Sequence, residues 1–278
     1  MKHLRFTKMH GIGNDYVYVD CFSQRVTDPA ALARRVSPRR TAVGSDGLIL
    51  IYPSHVADCR MEMYNADGSR GEMCGNGIRC VGKYVYDHGL VPKETLRVET
   101  DAGIKALTLR TQAGHVAAVT VDMGEPILDG PRIPVAAEGR VINAALDVDG
   151  KTYHVTCVSM GNPHCVLFVP TVDDLVLEQI GPRFEQHTFF PKRVNTEFVK
   201  VIGRNELRMR VWERGSGETA ACGTGACAVL VAAVLNDKSE RRAVVHLNGG
   251  DLEIEWDADN HVFMTGPAEE VFSGEIEP

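Results

Sequence analysis

Met73-Cys74-Gly75-Asn76-Gly77 is repeated in altered form as Ala221-Cys222-Gly223-Thr224-Gly225. Both segments read Cys-Gly-x-Gly, and both lead directly into an apolar stretch with a helical pattern. Cys222 follows Cys74 by 148 positions (222 − 74), and the same offset relates Asn14 to Asn162 and Ile104 to Leu252. One offset held over this length without a gap indicates a duplicated domain.

The bulk composition limits the classes of protein that the chain can belong to. Its 278 residues suffice for one large domain or two of ordinary size, and 44% hydrophobic residues support real cores. A net charge of −7 argues against a nucleic-acid partner, which usually needs a basic face. A small anionic substrate stays possible, because a few arginines can make a site locally positive.

Membrane and metal classes receive no support from the sequence. The N-terminus lacks the apolar core of a signal peptide, and the longest apolar run, Ala226–Leu235, has ten residues. About 20 residues are needed to span a bilayer, so we expect a soluble cytoplasmic protein without membrane contact. The eight cysteines include no Cys-x-x-Cys pair, and no metal site is predicted.

The secondary structure is expected to be mostly short strands joined by tight turns. Residues 104–109 and 115–121 form alternating runs around the turn Gln112-Ala113-Gly114, and residues 243–247 and 252–256 do so around Asn248-Gly249-Gly250. A further strand is expected at 261–264. Connections this short favour largely antiparallel sheets.

Helices are predicted at 77–88 and 225–236, after the two Cys-Gly-x-Gly turns, and near 28–36 and 173–180. The second of these is apolar nearly all round, which is typical of a helix buried on every side. Asp28 is the expected N-cap of the helix at 28–36, with Pro29 at its first position. The predicted fold is α+β, with two pseudo-symmetric domains that each wrap mostly antiparallel strands around a central buried helix. One domain would comprise 1–124 with 267–278, and the other 125–266.

The Cys-Gly-x-Gly turns carry the chemistry. A helix N-terminus offers unpaired backbone N–H groups and a partial positive charge, and glycine lets a ligand approach closely. Such a turn can bind a carboxylate and stabilise a thiolate beside it. One copy could equally be a buried structural cysteine, but two copies at one offset favour a functional pair. Two thiols around one amino acid could remove the Cα proton on one face and return it on the other.

Motifs spread over both halves resemble those of the diaminopimelate epimerase family. They are Lys8-Met9-His10-Gly11-Ile12-Gly13-Asn14-Asp15, Tyr64-Asn65-Ala66-Asp67-Gly68-Ser69, Glu72-Met73-Cys74-Gly75-Asn76-Gly77, Met160-Gly161-Asn162-Pro163-His164, Trp212-Glu213-Arg214-Gly215 and Ala221-Cys222-Gly223-Thr224-Gly225. The resemblance implies interconversion of LL- and meso-2,6-diaminoheptanedioate in lysine and peptidoglycan precursor biosynthesis. It implies no cofactor, a small diamino dicarboxylate substrate and a homodimer.

The resemblance also assigns roles to residues. Cys74 and Cys222 would be the acid/base pair, with His164 and Glu213 supporting catalysis beside them. Substrate would be held by backbone amides and side chains of Asn14, Asn65, Gly75, Asn76, Asn162, Asn195, Glu213, Arg214, Gly223 and Thr224. For Arg214 we expect a buried guanidinium that binds a carboxylate in a bidentate way. Cys80, Cys227 and the remaining cysteines are expected in the core.

Several alternatives stay open at this point. Asn14 and Asn162 could be turn residues, His164 a core histidine, and Glu213 with Arg214 a solvated pair. Gly47 stands where some family members carry a substrate-contacting glutamine, so its role as a ligand is doubtful. A proline or hydroxyproline racemase would also use a pair of cysteines, but its sequence differs around the first cysteine. A non-catalytic amino-acid-binding or metal-binding protein is the alternative from another class.

Overall fold

A computed structural model describes residues 3–277 of the chain. Within that range it contains 18 strands, four α-helices and a short 3-10 helix. Two compact units are formed, the first ending at Val121 and resuming at Thr265, the second spanning Asp122–Met264. The sequence predicted these junctions at 124/125 and 266/267, and the assignment of one epimerase half to each unit stays a prediction.

The elements are numbered in chain order. The strands are β1 Leu4–Gly11, β2 Asn14–Asp20, β3 Gly47–Tyr52, β4 Cys59–Asn65, β5 Arg70–Gly71, β6 Thr95–Thr100, β7 Gly103–Gln112, β8 His115–Asp122, β9 Ala144–Val148, β10 Lys151–Ser159, β11 Pro163–Phe168, β12 Asn195–Gly203, β13 Glu206–Glu213, β14 Gly217–Thr219, β15 Arg242–Leu247, β16 Gly250–Trp256, β17 Val262–Gly266 and β18 Glu269–Ile276. The helices are α1 Pro29–Val36, α2 Gly75–Asp87, α3 Leu177–Glu185 and α4 Gly223–Leu235, and the 3-10 helix is Gly130–Arg132.

The first unit is a mixed sheet that curls around α2. Strand β1 pairs antiparallel with both β18 and β2, and β2 pairs parallel with β3. Strand β4 pairs antiparallel with β3 and β5 and parallel with β6, which continues antiparallel into β7 and β8. Helix α2 packs against β1, β2 and β7, and ten of its 13 residues are buried.

The second unit repeats this order of elements and pairings. Strands β9, β10 and β11 pair antiparallel in sequence, β11 pairs parallel with β12, and β12 pairs antiparallel with β13. Strand β13 pairs antiparallel with β14 and parallel with β15, which continues antiparallel into β16. Helix α4 packs against β10 and β16, and its residues 225–233 are all buried. The duplication predicted from the 148-residue offset is therefore present in the topology.

Each unit has its own apolar core beside its long helix. In the first unit, α1 covers the outer face of the sheet with Leu32, Ala33 and Val36 against Leu48 and Leu50. In the second unit, α3 covers the equivalent face, where Phe184 stacks edge-on against Phe198 at a centroid distance of 5.8 Å. The long helices thus lie on the opposite face of each sheet from the short ones, as expected for apolar residues on both sides of a buried strand.

Most of the predicted helices are confirmed, but one was misplaced. The Asp28 side chain accepts the Ala31 N–H at 2.9 Å, so it caps α1 as predicted. The helix expected at 173–180 lies instead at Leu177–Glu185. The reason is Arg210, whose guanidinium binds the carbonyls of Val172, Asp173 and Leu175 and holds that stretch outside the helix.

The predicted strands and hairpins are also found, and the sheets are largely antiparallel with two parallel pairs in each unit. The turns at Ala113-Gly114 and Asn248-Gly249 join β7 to β8 and β15 to β16, where the sequence predicted them. Cys80 and Cys227 are fully buried, as expected for core residues. None of the helices within residues 3–277 combines the length and apolar character that crossing a membrane requires.

Candidate active site

Cys74 is the N-cap residue of α2 in the first unit. Its backbone is extended (φ −126°, ψ 120°), and its Sγ accepts the N–H of Gly77 at 3.3 Å. A Cβ at position 77 would lie 2.7 Å from Ile49 Cδ1, so the glycine allows the helix to start close against the sheet. The thiol therefore lies against the N–H groups of the first helical turn.

Asn14 begins β2 and contacts the Cys74 thiol. The Asn14 Nδ2 donates to Asp46 Oδ2 at 2.7 Å, which turns its carbonyl oxygen towards Cys74. The Cys74 Sγ–H donates to that oxygen at 3.1 Å. Asp46 is in turn held by Arg39, whose Nη2 lies 2.7 Å from its Oδ1. The orientation of the Asn14 amide is thus fixed by a carboxylate that is itself anchored.

Opposing influences act on the Cys74 thiol. Burial raises its pKa above the ordinary value, and N–H groups of Gly77 and Asn76, the Arg79 cation and the Tyr16 hydroxyl oppose part of that rise. Arg79 is fully buried in α2, where it donates to the carbonyls of Gly75 and Pro267 at 3.1 and 3.2 Å. A buried guanidinium beside a thiol favours the thiolate, because the positive charge is poorly screened there.

The remaining predicted residues of the first unit lie on the same helix start and on the end of β4. Gly75 and Asn76 form the first turn of α2, and Asn76 is 3% exposed. Asn65 ends β4, and its Nδ2 donates to Ser69 Oγ at 3.0 Å within the turn that follows. Gly47 pairs with Asn65, and a Cβ there would lie 2.0 Å from the Tyr64 carbonyl oxygen. No side chain fits at position 47, so a contact with substrate from a side chain is excluded.

Cys222 occupies the equivalent N-cap position of α4 in the second unit. Its backbone is again extended (φ −127°, ψ 105°), and it is 5% exposed. The Thr224 hydroxyl lies 3.6 Å from its Sγ. Burial raises the pKa of Cys222 well above its ordinary value, and the nearby carboxylates of Glu213 and Glu197 raise it further. Cys222 is therefore a thiol at neutral pH in this state.

A chain of hydrogen bonds leads from α4 into the interior of the second unit. Asn162 Nδ2 donates to Thr224 Oγ1 at 3.2 Å, and Asn162 Oδ1 lies 3.0 Å from His164 Nε2. His164 Nδ1 lies 2.6 Å from Glu197 Oε1. His164 and Glu197 are both completely buried, on the adjacent parallel strands β11 and β12. The predicted residues Asn162, His164 and Thr224 are thus brought together with Cys222.

Glu213 ends β13 and lies against the Cys222 thiol. Burial raises the pKa of Glu213, while hydrogen bonds from the Thr219 hydroxyl and the Cys222 thiol lower it. The Thr219 hydroxyl donates to Glu213 Oε1 across the β13–β14 pairing. This arrangement gives Cys222 a carboxylate partner that can receive its proton or hold it in place.

Asn195 and Arg214 are joined by one hydrogen bond in which Asn195 Oδ1 accepts the Arg214 N–H at 2.8 Å. The expectation of a buried Arg214 guanidinium is wrong. This side chain is exposed on the turn after β13 and donates to the Lys192 carbonyl oxygen at 3.0 Å. Gly215, with φ +80°, lies in the tight turn that joins β13 to β14.

Four buried or anchored side chains near these sites were missed by sequence reasoning: Asp46, Arg79, Glu185 and Glu197. Glu185 accepts the Gly215 N–H at 3.0 Å and the Trp212 Nε1–H at 2.7 Å, and so holds the turn that carries Glu213. The available signal was a charge inside an apolar run, as at Arg79 between Ile78 and Cys80-Val81, whereas Glu197 follows the polar pair Asn195-Thr196. Within residues 3–277, no group of three or more His, Cys, Asp or Glu side chains is arranged to hold a metal ion.

Comparison with known proteins identifies the family. The model of the diaminopimelate epimerase family matches residues 6–128 and 156–271. A diaminopimelate epimerase of Acetivibrio thermocellus is 59% identical over 276 residues, with 99% of each chain covered. One from Desulfovibrio desulfuricans is 59% identical over 280 residues with 98% of each covered, and one from Methanococcus maripaludis is 55% identical over 276 residues, with 99% of this chain and 100% of the relative covered.

Solved structures with the same fold come from more distant proteins. A PhzF-family phenazine biosynthesis protein of Bacillus anthracis superposes with a TM-score of 0.73 at 16% identity, covering all of both chains. A hydroxyproline epimerase of Agrobacterium vitis gives 0.71 at 14% identity, covering 99% of this chain and 93% of its own. These likenesses establish the shared α+β fold alone. Given the match of the family model on both sides of the duplication and relatives more than half identical over nearly the full length, the chain belongs to the diaminopimelate epimerase family.

Proposed function

We propose that this protein interconverts LL- and meso-2,6-diaminoheptanedioate with two cysteine thiols and without pyridoxal phosphate. The main observation behind the proposal is that the same arrangement occurs once in each unit: a cysteine is the N-cap residue of a buried helix that begins with glycine. The family membership supports the choice of substrate. The product would enter the synthesis of lysine and of peptidoglycan precursors.

The reaction needs one base and one acid on opposite faces of a single Cα. A thiolate takes the Cα proton, the electron pair of the broken C–H bond moves towards the neighbouring carboxylate, and the second thiol gives its proton to the other face. The roles are exchanged in the reverse direction, and no atom is gained or lost. A thiol suits both roles because its pKa lies near the working pH.

The carboxylate of the reacting centre would be held by the two helix starts. The backbone N–H groups of Gly75, Asn76, Gly223 and Thr224 lie in the first turns of α2 and α4, where N–H groups have no carbonyl partner within the helix. They would stabilise the negative charge that develops on the carboxylate, as an oxyanion hole does. The far, unreacting end of the substrate would be held by Asn14, Asn65, Asn162, Asn195 and Arg214.

The surroundings of the two thiols suggest which acts first. The pKa of Cys74 is raised by burial, but Arg79 and the helix N–H groups act against this. The pKa of Cys222 is raised further, because Glu213 and Glu197 add to the effect of burial. We therefore expect Cys74 to give up its proton more readily than Cys222 and to act first as the base, with Glu213 and His164 supporting the proton on Cys222.

We also propose a cytoplasmic homodimer. An exposed apolar pair on the edge strand β18 supports self-association, since Val271 is 55% and Phe272 46% exposed. Replacing Phe272 with aspartate should shift the mass measured by light scattering towards that of a monomer. An unchanged mass would show that Phe272 does not form the dimer contact, or that the protein is not a dimer.

The test of the function is hydrogen exchange in D₂O. Dialysed enzyme with a chelator and LL-2,6-diaminoheptanedioate should replace the Cα proton with deuterium while the meso isomer accumulates, both followed by NMR. Proline in the same tube should stay unlabelled, which separates this reading from a proline racemase. Labelling of proline alone would contradict the proposed substrate.

Matched cysteine variants separate chemistry from folding. Cys74→Ala and Cys222→Ala should each abolish epimerisation. Cys227→Ala, a control in the core of the same helix as Cys222, should retain it. Epimerisation by either single-thiol variant at the wild-type rate would rule out the two-base mechanism. Circular dichroism and thermal unfolding would verify that all three variants are folded.

A further inference from the structure

Glu197 is a completely buried carboxylate whose role the reaction chemistry above does not explain. Its Oε1 lies 2.6 Å from His164 Nδ1, and its Oε2 has no hydrogen-bond partner among the described residues. Burying a carboxylate with one free oxygen is costly, because water is lost and only partly replaced. A role in holding or orienting neighbouring side chains would explain why such a group lies in the interior of a strand.

The directions of the hydrogen bonds along this chain can be read from the donors. Asn162 gives its Nδ2 hydrogen to Thr224, so the atom that faces His164 is the Asn162 carbonyl oxygen. A carbonyl oxygen only accepts, so His164 Nε2 carries a hydrogen. The contact between His164 Nδ1 and Glu197 then also contains one proton, whichever atom holds it.

The same chain ends at the reacting thiol. Because Thr224 Oγ1 accepts from Asn162, its own hydrogen is free to be donated to Cys222, whose Sγ lies 3.6 Å away. If the Asn162 amide were reversed, its oxygen would take the Thr224 hydrogen instead. The thiolate of Cys222 would then lose a hydrogen-bond donor at the moment when it forms.

Glu197 is also in contact with the helix turn that carries the thiol. A Cβ placed on Gly225 would lie 2.8 Å from Glu197 Oε1 and 3.2 Å from Cys222 Sγ. The missing side chain at 225 is what lets the carboxylate pack beside the N-terminus of α4. Both ends of the hydrogen-bond chain therefore meet at the same helix start.

We propose that Glu197 is a positioning residue that anchors the His164 ring through Nδ1, so that Nε2–H stays directed at the Asn162 amide oxygen and leaves the Thr224 hydroxyl free to donate to Cys222. This inference rests on the proposed epimerase function and adds a specific role for a residue that does not touch substrate. Glutamine at 197 can donate an amide hydrogen to His164 Nδ1 and preserve Nε2–H. Methionine fills similar volume but leaves Nδ1 without a partner.

The test compares Glu197→Gln with Glu197→Met. The kcat for epimerisation should fall about tenfold or more in E197M relative to E197Q, since the thiol loses an oriented donor, while KM changes less. In ligand-free protein, ¹⁵N NMR of the His164 side chain should detect a hydrogen on Nε2 in the wild type and in E197Q, and should show a hydrogen-bonded Nδ1 in both but not in E197M. A kcat for E197M within twofold of that for E197Q would overturn the proposal.

The NMR measurement keeps the inference testable by itself. If E197M does not fold, a wild-type spectrum with an unprotonated His164 Nε2 overturns the proposal, and a protonated Nε2 together with E197Q activity above that of Glu197→Ala supports it. The spectrum needs no substrate, so its outcome is independent of the reaction. If the wild type fails to exchange the Cα proton of diaminoheptanedioate, the proposed function fails, and the spectrum still decides the hydrogen-bond chain.

Discussion

Alanine at Gly225 and at Gly77 should damage the protein in different ways, although the two glycines occupy equivalent positions in the repeat. Neither has a positive φ, so alanine meets no backbone strain at either position. The difference lies in the neighbours. A Cβ at 225 would lie 2.8 Å from Glu197 Oε1, whereas a Cβ at 77 would lie 2.7 Å from Ile49 Cδ1 and 3.2 Å from Met61 Cε.

At position 225 the obstructing atom is held by a hydrogen bond. Glu197 Oε1 would have to retreat from 2.8 Å to at least 3.4 Å, and so disturb its 2.6 Å contact with His164. The Cys222 Sγ, at 3.2 Å, would also have to give way. Displacements approaching 1 Å beside a reacting group cost about 100-fold, so kcat/KM should fall about 10- to 100-fold in Gly225→Ala. The higher helix propensity of alanine, about 1 kcal/mol, should offset most of the packing cost.

At position 77 the obstructing atoms are the ends of rotatable apolar side chains. Ile49 and Met61 are almost completely buried, so their rearrangement should reduce the free energy of unfolding by about 1–3 kcal/mol. Catalysis should suffer less, because the Cys74 Cβ lies at an ordinary 3.5 Å. Urea unfolding and the D₂O exchange assay measure both quantities on both variants. The reasoning is refuted if Gly225→Ala keeps wild-type kcat/KM while Gly77→Ala loses more activity.

Three further predictions concern single side chains. The Glu213→Gln variant should become more stable relative to the wild type as pH rises. Burial raises the pKa of Glu213 in the folded state, so the contribution of Glu213 to wild-type stability is complete below about pH 4.5 and is lost as pH rises through that folded-state pKa. Unfolding of both proteins from pH 4 to 8 measures this, and a difference in stability that stays constant with pH would contradict it. Asp46→Ala should raise KM about tenfold, because the Asn14 amide loses the acceptor that orients it, and steady-state kinetics with Asp46→Asn as the milder control would measure it. Phe198→Ala should cost about 3–5 kcal/mol in urea unfolding, since the ring is fully buried, and a loss below 1 kcal/mol would refute its place in the core.

Local signals in the sequence predicted the elements whose causes are local. Asp28 and Pro29 identify the start of α1, and the glycines after each cysteine identify the starts of α2 and α4. The position of α3 was predicted too early because Asp173-Asp174 resembles a helix start. Adding the 148-residue offset to Pro29 gives 177, the residue at which α3 begins. The repeat therefore contained information that local capping rules did not.

Glu197, one of the missed residues, owes its position to pairing between distant strands. Glu197 meets His164 because β11 and β12 pair in parallel, in a register that places His164 beside Asn195. A parallel pairing needs a long crossover, here through α3, and no local pattern specifies its register. Arg214 was expected to be buried because the resemblance gives it a carboxylate to bind, but it lies exposed in the turn after β13.

The two halves of the repeat share a backbone design but differ in the charges around the thiol, and this difference has a chemical consequence. In the proposed two-thiol mechanism, two identical sites would hold their protons equally, and neither thiol would be favoured as the base. Arg79 beside Cys74 and the carboxylates of Glu213 and Glu197 beside Cys222 remove that equality. The offset places Cys227 where the first unit has Arg79, so the second unit has no guanidinium at that position. Divergence of the charges, with the helix N-termini retained, is what would make a duplicated carboxylate-binding turn into an acid and a base.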